Sequence, residues 1–140
     1  MTVLRHREKE MHHPMAIKRR VDEIAGRAAV REWSGAGQGQ GKIARPVLAM
    51  AVRYLLEELA SRAEGNSVEV RIPPFGVTQC IAGPRHTRGT PPNVVEMPAE
   101  LWLSLATGLT SWADALQTGQ LHASGLRADL SAHLPLIEYP

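Results

Sequence analysis

Between Ala63 and Val68 the chain changes its hydrophobic period from about 3.6 residues to about 2. On the N-terminal side, Leu48, Val52, Leu55, Leu56, Leu59 and Ala63 form one broad apolar stripe, widened by Val47, Met50 and Tyr54. That spacing predicts a helix over 44–64. Pro46 fits in its first turn, where no amide donor is lost. Arg53 and Glu57 stand at the i, i+4 spacing of a helical ion pair. Gly65-Asn66 supplies the stop. On the C-terminal side, Val68, Val70 and Ile72 alternate with Glu69 and Arg71, which predicts a strand with one wet face. A long striped helix next to such a strand is expected to lie flat on a sheet, and this gives an α+β architecture.

The same reasoning extends in both directions. Ile17, Val21, Ile24 and Ala28 recur on one narrow face and predict a first helix over 16–33. Residues 1–15 are polar, charged and without pattern, and read as a disordered arm, with Met15 as an alternative start. Beyond the first strand, Pro73-Pro74-Phe75-Gly76 breaks the run. Residues 77–82 then predict a second strand paired with the first. Both its faces are partly apolar, which predicts a central place in the sheet. A turn-rich loop over 85–92 leads to a third strand over 93–97. Pro98 opens a helix that carries Leu101, Trp102, Leu105 and Ala106 and stops at Gly108. Ser111 and Asp114 form a capping box with Asp in place of Glu, opening a helix with Trp112, Ala115 and Leu116 that Gly119 ends. Residues 121–124 are strand-like, and 128–134 predict a last helix stopped by Pro135. Residues 16–140 are expected to form one domain.

The run SGAGQGQGKIARP, residues 34–46, resembles a phosphate cradle only superficially. Counting back from Gly41-Lys42, the first P-loop glycine position holds Ala36, and Ile43 replaces the hydroxyl that would ligate Mg²⁺. The dinucleotide fingerprint fails as well, and no strand pattern precedes the run. Residues 34–41 therefore read as a Gly-rich linker between the first two helices.

Further classes are excluded by content. No apolar run approaches the 18 or more residues of a membrane span. The first ten residues, MTVLRHREKE, carry no signal-peptide pattern, which points to a cytoplasmic protein. The one cysteine, Cys80, permits neither an internal disulfide nor a cysteine-based zinc site. His6, His12 and His13 on a disordered arm make a poor metal site. Residues 1–65 carry 12 Lys/Arg against 8 Asp/Glu, and residues 66–140 carry 4 against 6. The basic run Lys18-Arg19-Arg20 reads as a solvated helix face. Aromatic residues are few and not interleaved with basic ones, so no nucleic-acid partner is expected.

The C-terminal order resembles the sterol carrier protein family, in the variant of its small bacterial orthologues. It runs as a strand ending NVVEMP, a helix with a LATG stop, the helix WADALQTGQ, the short strand LHASG and the terminal ADLSAHLPL. The segment VEVRIPPFGVTQCIAGPRHTRGTPPNVVE is similar to that bacterial variant in particular. The resemblance spans residues 16–138. It implies a twisted, mainly antiparallel sheet of about five strands with helices on one face. It also implies an apolar tunnel between the two layers for sterols, fatty acids or acyl chains.

A tunnel of that kind needs apolar walls and a few polar groups at its mouth. The candidate walls are Trp102, Leu105, Leu109, Trp112 and Leu116 from the paired helices, faced by Val77 and Ile81 from the sheet. Cys80, among apolar neighbours, reads as a structural thiol rather than a nucleophile. Arg85, His86 and Arg88 form the candidate clamp for an anionic headgroup. Asp129 reads as a structural carboxylate at the start of the last helix. No catalytic motif stands out; His122, His133 and the trio Ser124, His133 and Asp129 are unremarkable for a chain of this size. The expectation is a non-enzymatic carrier of an apolar ligand that needs neither cofactor nor metal. The alternative is an interaction module with a closed tunnel. It would form a homodimer or dock on a partner enzyme through the 44–64 helix or a sheet edge.

Overall fold

Alternation at residues 68–72 sets the sheet. The computed structural model describes residues 19–36, 43–84 and 93–138. Strand β1 (Val68–Ile72) buries Val68, Val70 and Ile72 and turns Glu69 and Arg71 to the other face. A turn, closed by Phe75 N donating to Ile72 O at 2.8 Å, returns the chain as β2 (Gly76–Cys80). β2 pairs antiparallel with β1, from Val68 opposite Cys80 to Ile72 opposite Gly76. β3 (Val94–Glu96) flanks β1 in parallel, and β4 (His122–Ser124) pairs antiparallel with β3. The order is β2-β1-β3-β4, an open mixed sheet with four strands among the described residues where about five are expected.

Among the described residues β2 is an edge strand, where the sequence predicts a central place. Its inner face is covered by a helix, and among the described residues its outer face is not. Val77 belongs to the outer face, opposite Arg71, and is 60% exposed. Apolar residues on both faces of a short strand therefore do not imply two covered faces.

Two helices precede the sheet. α1 (Glu23–Gly35) starts at Asp22, whose carboxylate accepts from Ala25 N at 2.9 Å. Its buried stripe is Gly26, Ala29, Val30 and Trp33. The predicted stripe is corrected: Ile24 is 81% exposed, Ala28 also faces solvent, and Val21 precedes the helix. Ile17 lies outside the described residues. A glycine leaves a gap in apolar periodicity, yet here it marks the closest helix approach. A Cβ at Gly26 would stand 2.5 Å from Tyr54 Cγ.

α2 (Arg45–Arg62) begins with Pro46 in its first turn and buries Val52, Tyr54, Leu55, Leu56 and Leu59. It passes under β2, where Leu56 Cδ1 lies 3.1 Å from the position a Gly76 Cβ would take. The expected Arg53–Glu57 pair does not form. Arg53 Nε donates to Phe75 O at 2.7 Å, and the Glu57 carboxylate accepts from the amides of Arg20 and Val21. Both side chains are used to tie other segments to α2.

Helices α3 (Ala99–Ala106) and α4 (Trp112–Gln117) connect β3 to β4. Ser111 Oγ accepts from Asp114 N at 3.1 Å, the serine half of the predicted capping box. The helix predicted over 128–134 is instead a single 3-10 turn, Ser131–His133. Asp129 Oδ1 accepts from Ser131 N at 2.8 Å, and Pro135 has no amide to extend a helix. Those hydrogen bonds from Ser131 hold the Asp129 carboxyl below its ordinary range. Asp129 thus closes a turn rather than facing a helix end.

The core lies between the helices and one sheet face. Val52, Leu55 and Leu59 of α2, Val70 of β1, Val95 of β3, and Trp102 and Leu103 of α3 are fully buried there. Glu69, Arg71 and Glu96 share the opposite face, joined through the Arg71 guanidinium. Among the described residues, no helix is long and apolar enough to cross a membrane.

Candidate functional site

The last carbonyls of a helix have no partner within it. At the end of α3 one of them captures the C-terminal segment: Ala106 O accepts from Leu136 N at 2.8 Å and from Ile137 N at 3.0 Å. Leu136 is buried and anchors the segment. Another carbonyl, Ser104 O, accepts from Leu109 N and Thr110 N as the chain reverses at Gly108, whose φ is +81°. Pro135 closes over Gly108, 3.4 Å from where a Cβ would stand, so a side chain there would press on the segment.

Between this segment and the start of α4 lies a half-open groove of about 490 Å³. Leu105, Trp112, Ala113, Leu134 and Pro135 form its apolar part, and Thr110, Ser111, Ser131 and Glu138 its polar part. Glu138 is the one charged side chain among the described residues of the lining. Its Cγ sits over Gly108, 3.5 Å from the position of a Cβ.

The seven candidate wall residues do not meet in one place. Leu105 and Trp112 line the groove. Leu109 and Leu116 are each 47% exposed and stand outside its lining. Trp102 is buried in the core, with Nε1 donating to Val52 O at 3.3 Å. Ile81 is half-buried after β2, with a φ of 65°, rare for a β-branched residue. Its N donates to Ala63 O at 2.6 Å, and its O accepts from Ser67.

Val77 does not face these helices, correcting the expected opposition. It lines a separate groove of about 320 Å³ with Arg20, Leu56 and Phe75. The alternation places Val77 on the face of Arg71, so Gly76, Thr78 and Cys80 look inward instead.

Arg85, His86 and Arg88, the candidate headgroup clamp, lie outside the described residues, as do residues 1–15 and most of the Gly-rich linker. Cys80 is completely buried, and desolvation pushes its thiol up to about 12. His122 stands opposite Glu96 on the exposed face of the sheet, and His133 lies in the 3-10 turn. Among the described residues, no group of three His, Cys, Asp or Glu side chains is placed to hold a metal ion.

Sequence reasoning missed Ser131, Leu134, Pro135 and Glu138. The signal available for them was the apolar run LPLI, residues 134–137, which encloses the helix-terminating Pro135. It missed Asn93 too, which joins three segments. Asn93 Nδ2 donates to Ser67 O at 2.8 Å, and its Oδ1 accepts from Arg127 N at 2.9 Å.

A family model described as bacterial SCP ortholog, SCP standing for sterol carrier protein, matches residues 44–136. The chain belongs to this family. The match begins at α2, so the family's span excludes α1, which the sequence resemblance had included. It contains the whole sheet and all of the groove lining except Glu138. No curated protein matches the chain.

Proposed function

We propose that this SCP-family chain is a non-enzymatic binding or carrier module for an apolar ligand, held in the groove between α3, α4 and the C-terminal segment. The observation that carries the reading is that groove: about 490 Å³, apolar along Leu105, Trp112 and Leu134, with hydroxyls at its rim. Small-ligand sites usually occupy about 300–1,000 Å³ and combine apolar walls with a few polar groups. Each methylene withdrawn from water adds about 0.8 kcal/mol, so an acyl, alkyl or sterol-like body binds without a cofactor. Membership of the carrier family supports the same reading. So does Cys80, whose raised pKa withholds the thiolate that nucleophilic catalysis needs. A lone free thiol suits the reducing cytoplasm.

Native mass spectrometry of the protein purified from its own host, followed by solvent extraction, tests the reading. A stoichiometric lipid or acyl compound is the expected result. A ligand-free protein that also gains no thermal stability from added alkyl alcohols, acids or amines would refute it.

A second reading has its own observation. Val52, Leu55, Val70, Val95 and Trp102, between helices and sheet, are fully buried, while the β2 edge carries the exposed Val77. That combination favours an interaction module pairing through β2, since an unpaired edge is a template for another strand. α2, the other surface considered, turns its apolar stripe, Val52, Leu55, Leu56 and Leu59 among it, into the core. Sedimentation equilibrium distinguishes the two: pairing through β2 requires a concentration-dependent dimer that Val77→Lys weakens.

A further inference from the structure

We infer that the groove selects amphiphiles with a cationic, ammonium-type head over those with a carboxylate or phosphate head. This rests on the apolar-ligand reading above and adds the chemistry of the head. Glu138 supplies the charge in the described lining, and it is exposed and makes no ion pair with another described residue. Trp112, half-buried, lines the same groove and offers an indole surface. A carboxylate and an indole in one apolar recess form the usual recognition pair for an alkylammonium group, by ion pairing and cation–π attraction. Ser111 and Ser131 offer oxygens as acceptors at the rim.

The stretch of sequence that supplies the groove has the same sign. From Pro98 onward the sequence holds four carboxylates, Glu100, Asp114, Asp129 and Glu138, against a single guanidinium, Arg127. Two of the four are engaged: Glu100 accepts from Trp33 Nε1 at 2.7 Å, and Asp129 from Ser131 N. Glu138, the charge in the described lining, therefore opposes an anionic head. The whole chain carries a formal charge of +2, so a preference for cations would not follow from net charge.

The test compares three ten-carbon ligands of matched chain, decyltrimethylammonium, decanoate and 1-decanol, by titration calorimetry below their micelle concentrations at pH 7.4. The expected result is that decyltrimethylammonium binds about tenfold more tightly than decanoate, the sum of two modest contacts. Glu138→Gln should bring that ratio close to one while leaving decanol binding and the melting temperature unchanged. Added salt should shrink the ratio as well.

Equal or tighter binding of decanoate overturns the inference and returns the headgroup role to Arg85, His86 and Arg88. A cation preference that survives Glu138→Gln also overturns it. If decanol binds and the two charged ligands do not differ, the head preference falls and the apolar groove stands. If none of the three binds, the groove reading falls and this inference falls with it.

Discussion

Cys80 owes its chemistry to its surroundings. As the inner-facing residue at the end of β2 it is closed off from water, and desolvation favours the neutral thiol. The sign follows directly. The folded-state pKa is raised from its ordinary 9.0 to about 12, so the contribution to stability is complete below pH 9. It is lost as pH rises toward 12, because the unfolded thiol ionises first. We predict that the stability difference between wild type and Cys80→Ala shifts against the wild type across that window, as read from denaturant midpoints. A thiol reagent should leave the native protein unmodified and label it fully in denaturant. The structural role of Cys80 was legible because its sequence neighbours are apolar. The role of Asn93 was not, since its partners Ser67 and Arg127 are distant in the chain.

Among the elements, α2 and β1 follow their sequence patterns closely, because long or strict periodicity constrains which face is buried. α1 does not, and the reason is Gly26. The prediction there separates packing from propensity. Gly26→Ala should improve helix propensity by about 1 kcal/mol. It should nevertheless destabilise the protein by about 1–3 kcal/mol, since the new methyl meets the Tyr54 ring. Urea denaturation decides this, and a stabilised variant would show that α1 can move off α2. Gly65→Ala should also destabilise, because its Cβ would run into the Ile81 carbonyl at a φ of +149°. Ile81 and Gly65 together form a tight crossing that no local pattern announces. The edge position of β2 was hidden for a related reason: strand order depends on partners, and the parallel pairing of β3 with β1 is a long-range choice.

At the scale of the whole molecule, the family and the α+β layering could be read from the order of elements, while the groove could be read only in part. Helical spacing brought Leu105 and Trp112 to attention, and both line it. The wall opposite them comes from a segment expected to be helical. The stretch that follows it is held by two backbone bonds, from Leu136 and Ile137 to Ala106, which side-chain patterns do not encode. The central claim is that an alkyl chain lies in this groove and not between the sheet and the helices. The three tryptophans distinguish the two places, because Trp112 lines the groove while Trp33 and Trp102 are fully buried in the core. The direct measurement is quenching of tryptophan fluorescence by a bromine-labelled decyl ligand in wild type and in Trp112→Phe, with binding checked by thermal shift. The account predicts strong quenching that disappears in the variant while binding persists. Quenching of equal strength in Trp112→Phe would place the chain beside Trp102 or Trp33 and contradict the groove.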